Sequence, residues 1–333
     1  MIITRLSPHT CHCLLLLSFH EHIDYSTKRL PQKNVNIPTD PGFLTCCDCE
    51  DDCSDKKRCA CWQLTIQSTR GELGGQVRAK AGYEFRRLKE PVLTGIYECN
   101  SQCKCSKTCL NRVVQNPLKL SFQVFKTGDR GWGLRSVHDI PKVINVQNKV
   151  LKSTIENFQG TFLCTYVGNL WTEEEGNREG LNFGDEYFAS LDMIEVVESP
   201  KKVENYESDE GINLEDQDVK VKPSKSTTPK AVSCSKRNSK RRGKSKNTFS
   251  YEKSKFTSAR KLFGKDEESF IMDAKKVGNI GRYLNHSCFP NVMVQNVFVD
   301  THDLRFPWIA FFTTTFVRAG RELCWDYRSH SSL

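Results

Sequence analysis

The chain has 333 residues, enough for two or three domains and a sizeable buried core. Its hydrophobic fraction of 38% is below that of compact soluble proteins and 27% is charged, so part of it is expected to be unfolded linker. The net charge of +9 favours acidic partners such as nucleic acid but says nothing about fold.

Residues 1–43 carry no clear periodicity, and Pro31, Pro38 and Pro41 suggest an extended approach segment. The one candidate for a secretory leader or a membrane span is Cys11–Phe19, whose apolar core is four leucines with no small-residue cleavage site behind it. It is far too short to cross a bilayer, so no membrane association is expected. Sixteen cysteines without a leader point to a reducing, intracellular setting, where clustered thiols bind metal rather than each other.

Nine of them fall in two runs, Cys47-x-Cys49-x3-Cys53-x5-Cys59-x-Cys61 and Cys99-x3-Cys103-x-Cys105-x3-Cys109, with a Gly-rich polar spacer between. Cys-x-Cys steps are too tight for an ordinary zinc knuckle and suit thiolates that feed adjacent metals. Three zincs need twelve contacts, which nine thiolates supply if six are terminal and three bridge. The net charge is then −3, and Lys56, Lys57, Arg58, Lys104 and Lys107 lie where they could offset it. Every metal position is closed by sulfur, so the role is structural and the module is expected to fold only with metal bound.

Residues 118–140 read as strand, turn, strand around Thr127-Gly128-Asp129-Arg130-Gly131, followed by Trp132-Gly133. The glycines flanking the tryptophan mark either a bulge or a place where a ligand lies against the backbone. A polar stretch, Lys142–Phe158, precedes a convincing strand at Thr161–Gly168; Trp171, an acidic run and a further strand within Gly184–Asp192 follow. Residues 194–265 turn acidic, then basic, with too few apolar side chains to bury much, and are expected to be a disordered insertion. Its Lys236-Arg237 and Lys240-Arg241-Arg242 pairs read as a nuclear-import or nucleic-acid patch, or as a solvated charge run.

Order is expected again at Ser269–Ala274, in apolar strands at Val292–Val299 and Trp308–Phe312, and at Glu322–Tyr327. Between them, Gly281–Asn291 places an amide, an imidazole, a hydroxyl and a thiol in four consecutive residues. Such neighbours point in different directions on a regular element. The stretch is therefore either a polar turn or a bent backbone that converges on one ligand. The whole reads as a mostly β chain with short helices and one long excursion.

Taken together these stretches resemble a SET-domain protein lysine methyltransferase with a pre-SET zinc module, of the bifurcated-SET kind that methylates histone H3 at lysine 9. The resemblance is carried by the cysteine array ending Cys109-Leu110-Asn111-Arg112-Val113-Val114-Gln115, then Gly131-Trp132-Gly133, Tyr166-Val167-Gly168, Asp185-Glu186-Tyr187, Asn285-His286-Ser287-Cys288 and Glu322–Tyr327, in family order. It covers about residues 44–193 and 266–327.

The resemblance implies a SET-domain β fold with a knot-like C-terminal segment. Its parts would be an approach segment (1–43), a three-zinc pre-SET module (44–116), a first SET part (117–193, with an atypical insert at 142–158), the charged insertion (194–265) and a second SET part (266–333). It implies transfer of a methyl group from S-adenosylmethionine to a histone H3 tail lysine in chromatin repression, in the nucleus on the chromosome, with nucleosomes as partners and a possible nucleic-acid contact through residues 220–246. By position, Gly131, Trp132, Gly133, Asp185, Tyr187, Arg282, Asn285 and His286 would border or bind the cofactor. Tyr327 would be the catalytic tyrosine, with His286 beside it; Tyr166 either assists or is ordinary strand packing. Tyr187 and Trp325 would wall the lysine channel, where Trp325 limits the number of methyls.

Two departures stand out. Lys142–Phe158 interrupts a short family connection, as a polar hairpin-tip loop or as a product of how the sequence was assembled. The chain also stops at Leu333 without the cysteine-rich post-SET tail, which in the family joins the residue matching Cys288 in a further zinc site. Little or no turnover by this chain alone is therefore expected. The alternative is a catalytically incomplete, zinc-stabilised chromatin-binding fragment.

Overall fold

The two apolar runs near the C-terminus pair with each other at the middle of the fold. The computed structural model describes residues 2–3, 23–73, 76–140, 160–191, 193, 194, 196 and 269–327. In it, Val292–Phe298 lies antiparallel to Trp308–Thr313. Phe162–Tyr166 adds antiparallel on one side and Ile96–Tyr97 adds parallel on the other, making four strands. Both faces are covered. Ile309 and Phe311 enter one apolar cluster while Ala310 and Phe312 enter a second, as the two-residue period of a strand requires. Burial on both faces is why these strands read as continuous apolar runs. The register skips Leu163, so that Cys164 faces Phe311 and Phe162 faces Phe312, each pair within one cluster.

A second four-stranded sheet runs Leu30–Pro31, Asn169–Thr172, Phe270–Asp273, Phe188–Ser190. Gly168 lets the two sheets meet: a Cβ there would stand 2.0 Å from the Asp273 carbonyl oxygen, which only glycine avoids. The expected hairpin forms from Phe122–Lys126 and Trp132–Ser136, with Ile2–Ile3 paired along its outer edge. The described part of the approach segment, from residue 23 to residue 40, is largely extended, with Asp24–Tyr25 parallel to Val277–Gly278. Arg29 fastens it through a bidentate bridge to Asp300, 2.8 Å on each oxygen.

Two helices depart from the sequence reading. The acidic run is helix Glu173–Phe183, capped by the Thr172 hydroxyl, which accepts from the Glu175 N–H at 3.3 Å. This Thr-x-x-Glu capping box was legible. The polar spacer of the cysteine module is likewise more than a spacer. It holds helix Ala60–Ser68 and, with Trp62, Ile66, Tyr83, Leu88 and Val92, the apolar half of the second cluster. Cys11–Phe19, Lys142–Phe158 and nearly all of 194–265 lie outside the described residues. No helix among the described residues is long and apolar enough to cross a membrane.

Candidate active site and cysteine cluster

The edge of the central sheet, one tight turn and the last strand bring five of the expected residues around one small cavity. Its volume is about 150 Å3, and Tyr166, Tyr187, Arg282, Leu284, Trp325 and Tyr327 line it. Tyr166 arrives at the end of Phe162–Tyr166, and its hydroxyl donates to the Tyr187 carbonyl at 2.6 Å. Arg282 arrives on the 3-10 turn Ile280–Tyr283. Asn279 caps that turn: its amide oxygen accepts from the Gly281 N–H at 3.0 Å, and its amide nitrogen donates to the Thr165 carbonyl at 2.9 Å. The Arg282 guanidinium is buried, donates to the Ala274 carbonyl at 2.9 Å and lies 4.1 Å over the Tyr187 ring.

Asn285–His286 and Cys324–Trp325, far apart in sequence, run side by side as a parallel pair. Asn291 clamps the second strand, accepting from the Cys324 N–H at 2.9 Å and donating to the Glu322 carbonyl at 2.8 Å. The clamp sets Trp325 and Tyr327 against each other at 4.8 Å between ring centroids. Both donate to one acceptor, the Leu284 carbonyl, from the Trp325 indole at 3.1 Å and the Tyr327 hydroxyl at 3.0 Å. Tyr327 keeps 44% of its surface exposed, and the partial burial of its phenol pushes it up to about 12, with nearby Tyr187 adding to the rise. Burial pushes the Tyr166 phenol higher still. Both phenols stay neutral hydrogen-bond donors at physiological pH.

Beside this cavity lies a polar crossing point. The Asn285 amide donates to Glu322 at 2.8 Å and to the Trp132 carbonyl at 3.1 Å. The other Glu322 oxygen accepts from Arg130 at 2.7 Å, and Arg130 also donates to the His286 carbonyl at 3.0 Å. Gly133 is held close, since a Cβ there would meet Glu322 at 2.9 Å, whereas the position next to Gly131 is open. Trp132 keeps 46% of its surface exposed, with the Lys126 ammonium 5.4 Å over its ring. His286 accepts from the Tyr327 N–H at 3.2 Å and sits 3.6 Å from the exposed Cys288 sulfur. Asp185 stands apart: it is exposed in the turn after helix Glu173–Phe183 and does not line the cavity. Sequence reasoning missed Arg130 and Glu322 as site residues, and it missed the two carbonyls of Tyr187 and Leu284. Only Glu322, inside a quoted motif, had left a signal.

The nine cysteines converge. Cys47, Cys53 and Cys99 are mutually 3.8 Å apart at sulfur, and Cys59 and Cys109 each lie 3.8 Å from Cys99. Four sulfurs about 2.3 Å from a tetrahedral zinc stand about 3.8 Å from one another, so these are the edges such a metal needs. Three overlapping tetrads, drawn from Cys47, Cys53, Cys59, Cys99, Cys103, Cys105 and Cys109, are each compact enough to hold an ion. Cys61 joins at 3.4 Å from Cys103, and Cys49 sits beside Cys53. N–H donors already point at the sulfurs: Asn100 and Cys47 onto Cys103 at 3.2 and 3.4 Å, and Asn111 onto Cys109 at 3.3 Å. The donor set fits zinc. The charged neighbours differ from expectation. Lys56 lies 4.4 Å over Trp62 and donates to the Lys80 and Ala81 carbonyls, while Lys57, Arg58, Lys104 and Lys107 are exposed or peripheral.

The SET domain family matches residues 131–328, and the pre-SET motif matches residues 9–112. The histone-lysine N-methyltransferase eggless of Drosophila pseudoobscura pseudoobscura is 47% identical over 330 residues, across 91% of this chain but only 25% of that relative. The chain thus spans about a quarter of that protein's length. Among solved structures, the Neurospora SET domain protein DIM-5, a histone lysine methyltransferase, superposes with a TM-score of 0.57 at 21% identity, covering 92% of this chain and 88% of that one. KRYPTONITE in complex with mCHH DNA, H3(1-15) peptide and SAH gives 0.52 at 22% identity, covering 92% and 41%. These two likenesses agree on the fold. With its aromatic cavity, its parallel pair of short strands and its clustered thiols, the chain belongs to the SET-domain family and carries a pre-SET motif ahead of its SET domain.

Proposed function

We propose that this chain is the catalytic region of an S-adenosylmethionine-dependent histone-lysine N-methyltransferase that acts on the histone H3 tail, at lysine 9, in chromatin repression. The observation that supports it most is the small cavity walled by Tyr166, Tyr187, Trp325 and Tyr327, with Leu284 in its lining directly before Asn285. A volume of about 150 Å3 suits a slender aliphatic chain rather than a bulky group. Bound against Trp132, Gly131, Asn285 and His286, S-adenosylmethionine supplies a sulfonium-activated methyl group. The target amine, with an ordinary pKa of about 10.4, must enter neutral, and a dry aromatic wall disfavours its charged form. The neutral phenols of Tyr327 and Tyr166 and the carbonyls they engage orient that amine for in-line attack; alignment is the protein's main contribution.

In the same reading the cysteines hold three zincs. Cys47, Cys53, Cys59 and Cys99 form one of the compact tetrads that would hold an ion, and sharing of sulfurs between overlapping tetrads is what would let nine thiolates serve three metals. Trp325 sets how many methyls fit. The pre-SET module spans 44–116, the SET parts span 117–193 and 266–333, residues 220–246 contact nucleic acid, and the protein works in the nucleus on nucleosomes.

The test is mass spectrometry of an amino-terminal H3 peptide incubated with S-adenosylmethionine, zinc and the chain extended by a cysteine-rich post-SET tail. Methyl groups on one lysine, absent with Tyr327→Phe, are the expected result. A folded, zinc-loaded chain carrying that tail that methylates no lysine would overturn the proposal.

A further inference from the structure

Arg112 is a buried cation without a carboxylate. It is 7% exposed, and its guanidinium donates to the Gln115 side-chain oxygen at 2.9 Å, to the Asn100 carbonyl at 2.7 Å and to the Cys105 sulfur at 3.6 Å. Its Nε–H is buried with no hydrogen-bond partner among the described residues. Glu98 is the one buried carboxylate nearby, and it is already satisfied by Tyr83, by the Val113 and Val114 N–H groups and by the Gln115 amide. A charge removed from water is costly unless an opposite charge meets it. The anions left within reach of Arg112 are thiolates.

The cluster has the complementary need. Nine thiolates on three divalent metals carry three surplus negative charges in a buried site, and no lysine near the runs bonds to a sulfur among the described residues. We infer that Arg112 is the internal counter-cation of the thiolate cluster and a positioning residue for it. With Asn111, whose amide donates to the Cys99 sulfur at 3.6 Å, it holds the metals in place. Arg112 also sits at a junction. Gln115 links it to Glu98, and Glu98 grips the backbone of Val113 and Val114, where the chain leaves the module toward the Phe122–Lys126 hairpin. One chain of hydrogen bonds thereby connects the cluster to the backbone by which the chain leaves the module.

This inference rests on the zinc reading, so zinc content of the unaltered protein is measured first; no bound zinc would sink that reading and this one together. The decisive experiment is the rate of zinc transfer to a chromogenic chelator. Removing outer partners of metal ligands typically costs about 10–100-fold in affinity, so Arg112→Gln is expected to release zinc about ten times faster or more. Arg112→Lys keeps the charge without the fork and is expected to stay within about threefold of the parent. Lys57→Gln and Lys104→Gln leave the rate unchanged. Equal release by Arg112→Gln and the parent overturns the inference, and so does equal loss in the Gln and Lys variants, which would mark a role in packing alone. If Arg112→Gln does not fold, Arg112→Lys decides: parent-like retention sustains the inference and rapid loss overturns it.

Discussion

The cysteine cluster and the aromatic cavity are built by opposite strategies. The cluster draws its ligands from two short runs, Cys47–Cys61 and Cys99–Cys109, and its chemistry is sulfur held at tetrahedral edges. The cavity draws on four distant stretches, around Tyr166, Tyr187, Arg282 and Tyr327, and its key acceptors are backbone carbonyls of Tyr187 and Leu284. Where function needs affinity for an ion, spacing along the chain specifies it. Where function needs alignment of a reacting group, register between distant strands specifies it, and one misplaced carbonyl undoes it.

That contrast can be broken most forcefully at the metal. Structural zinc contributes about 10–16 kcal/mol in comparable small modules, more than the whole stability of many domains. Stripping it is expected to unfold the cysteine module. Hydrogen exchange across Ala60–Ser68 should become unprotected, and persisting protection in excess chelator would refute metal-dependent folding. At the cavity, Tyr327→Phe is expected to lower kcat by about 100-fold or more while zinc content stays at the parent value, since loss of alignment alone has that size. A parent-like kcat would place alignment elsewhere. Between the two regions in effect is Gly168→Ala, whose Cβ would press on the Asp273 carbonyl; a loss of about 1–3 kcal/mol in denaturant unfolding is expected. Thr172→Ala, which removes the helix cap, should cost about 1 kcal/mol in the same measurement and leave both sites working.

The smallest effect is on pH dependence. The native Tyr327 phenol is raised to about 12, whereas an unfolded tyrosine titrates near 10. The native state therefore keeps its proton where the unfolded state loses it, so the contribution to stability is full below about pH 10 and is lost as pH rises from about 10 through 12. Comparing alkaline unfolding of the parent and Tyr327→Phe checks this. In the parent the rate of methyl transfer should climb with pH as the amine deprotonates, with no falling limb from Tyr327 below about 12.

Much of this was legible. The nine thiols and the paired apolar runs were legible because their spacing is local, and the fold itself came from the family resemblance that the motifs carry. The Glu173–Phe183 helix was legible in principle from Thr172 and Glu175 but was hidden by a polar surface with only Gly176 buried. Helix Ala60–Ser68 offered less, since Cys59 caps it without a side-chain bond and its buried face mixes Cys61, Trp62, Thr65 and Ile66. Nothing in the sequence announces that Asn285 will meet Glu322, or that Trp325 and Tyr327 will share the Leu284 carbonyl. Those contacts follow from a strand pairing across nearly forty residues, and only the folded chain displays it.

The parallel strand Ile96–Tyr97 has a consequence in time. It belongs to the cysteine module, yet its partner, Val297–Phe298, is synthesised about 200 residues later. At about 5–20 residues per second, on the order of ten to forty seconds pass before the partner emerges. Through that interval Ile96 and Tyr97 lack their strand partner, leaving an edge only two residues long. All nine thiols precede that partner, so if they take up metal as proposed they can do so before the sheet closes.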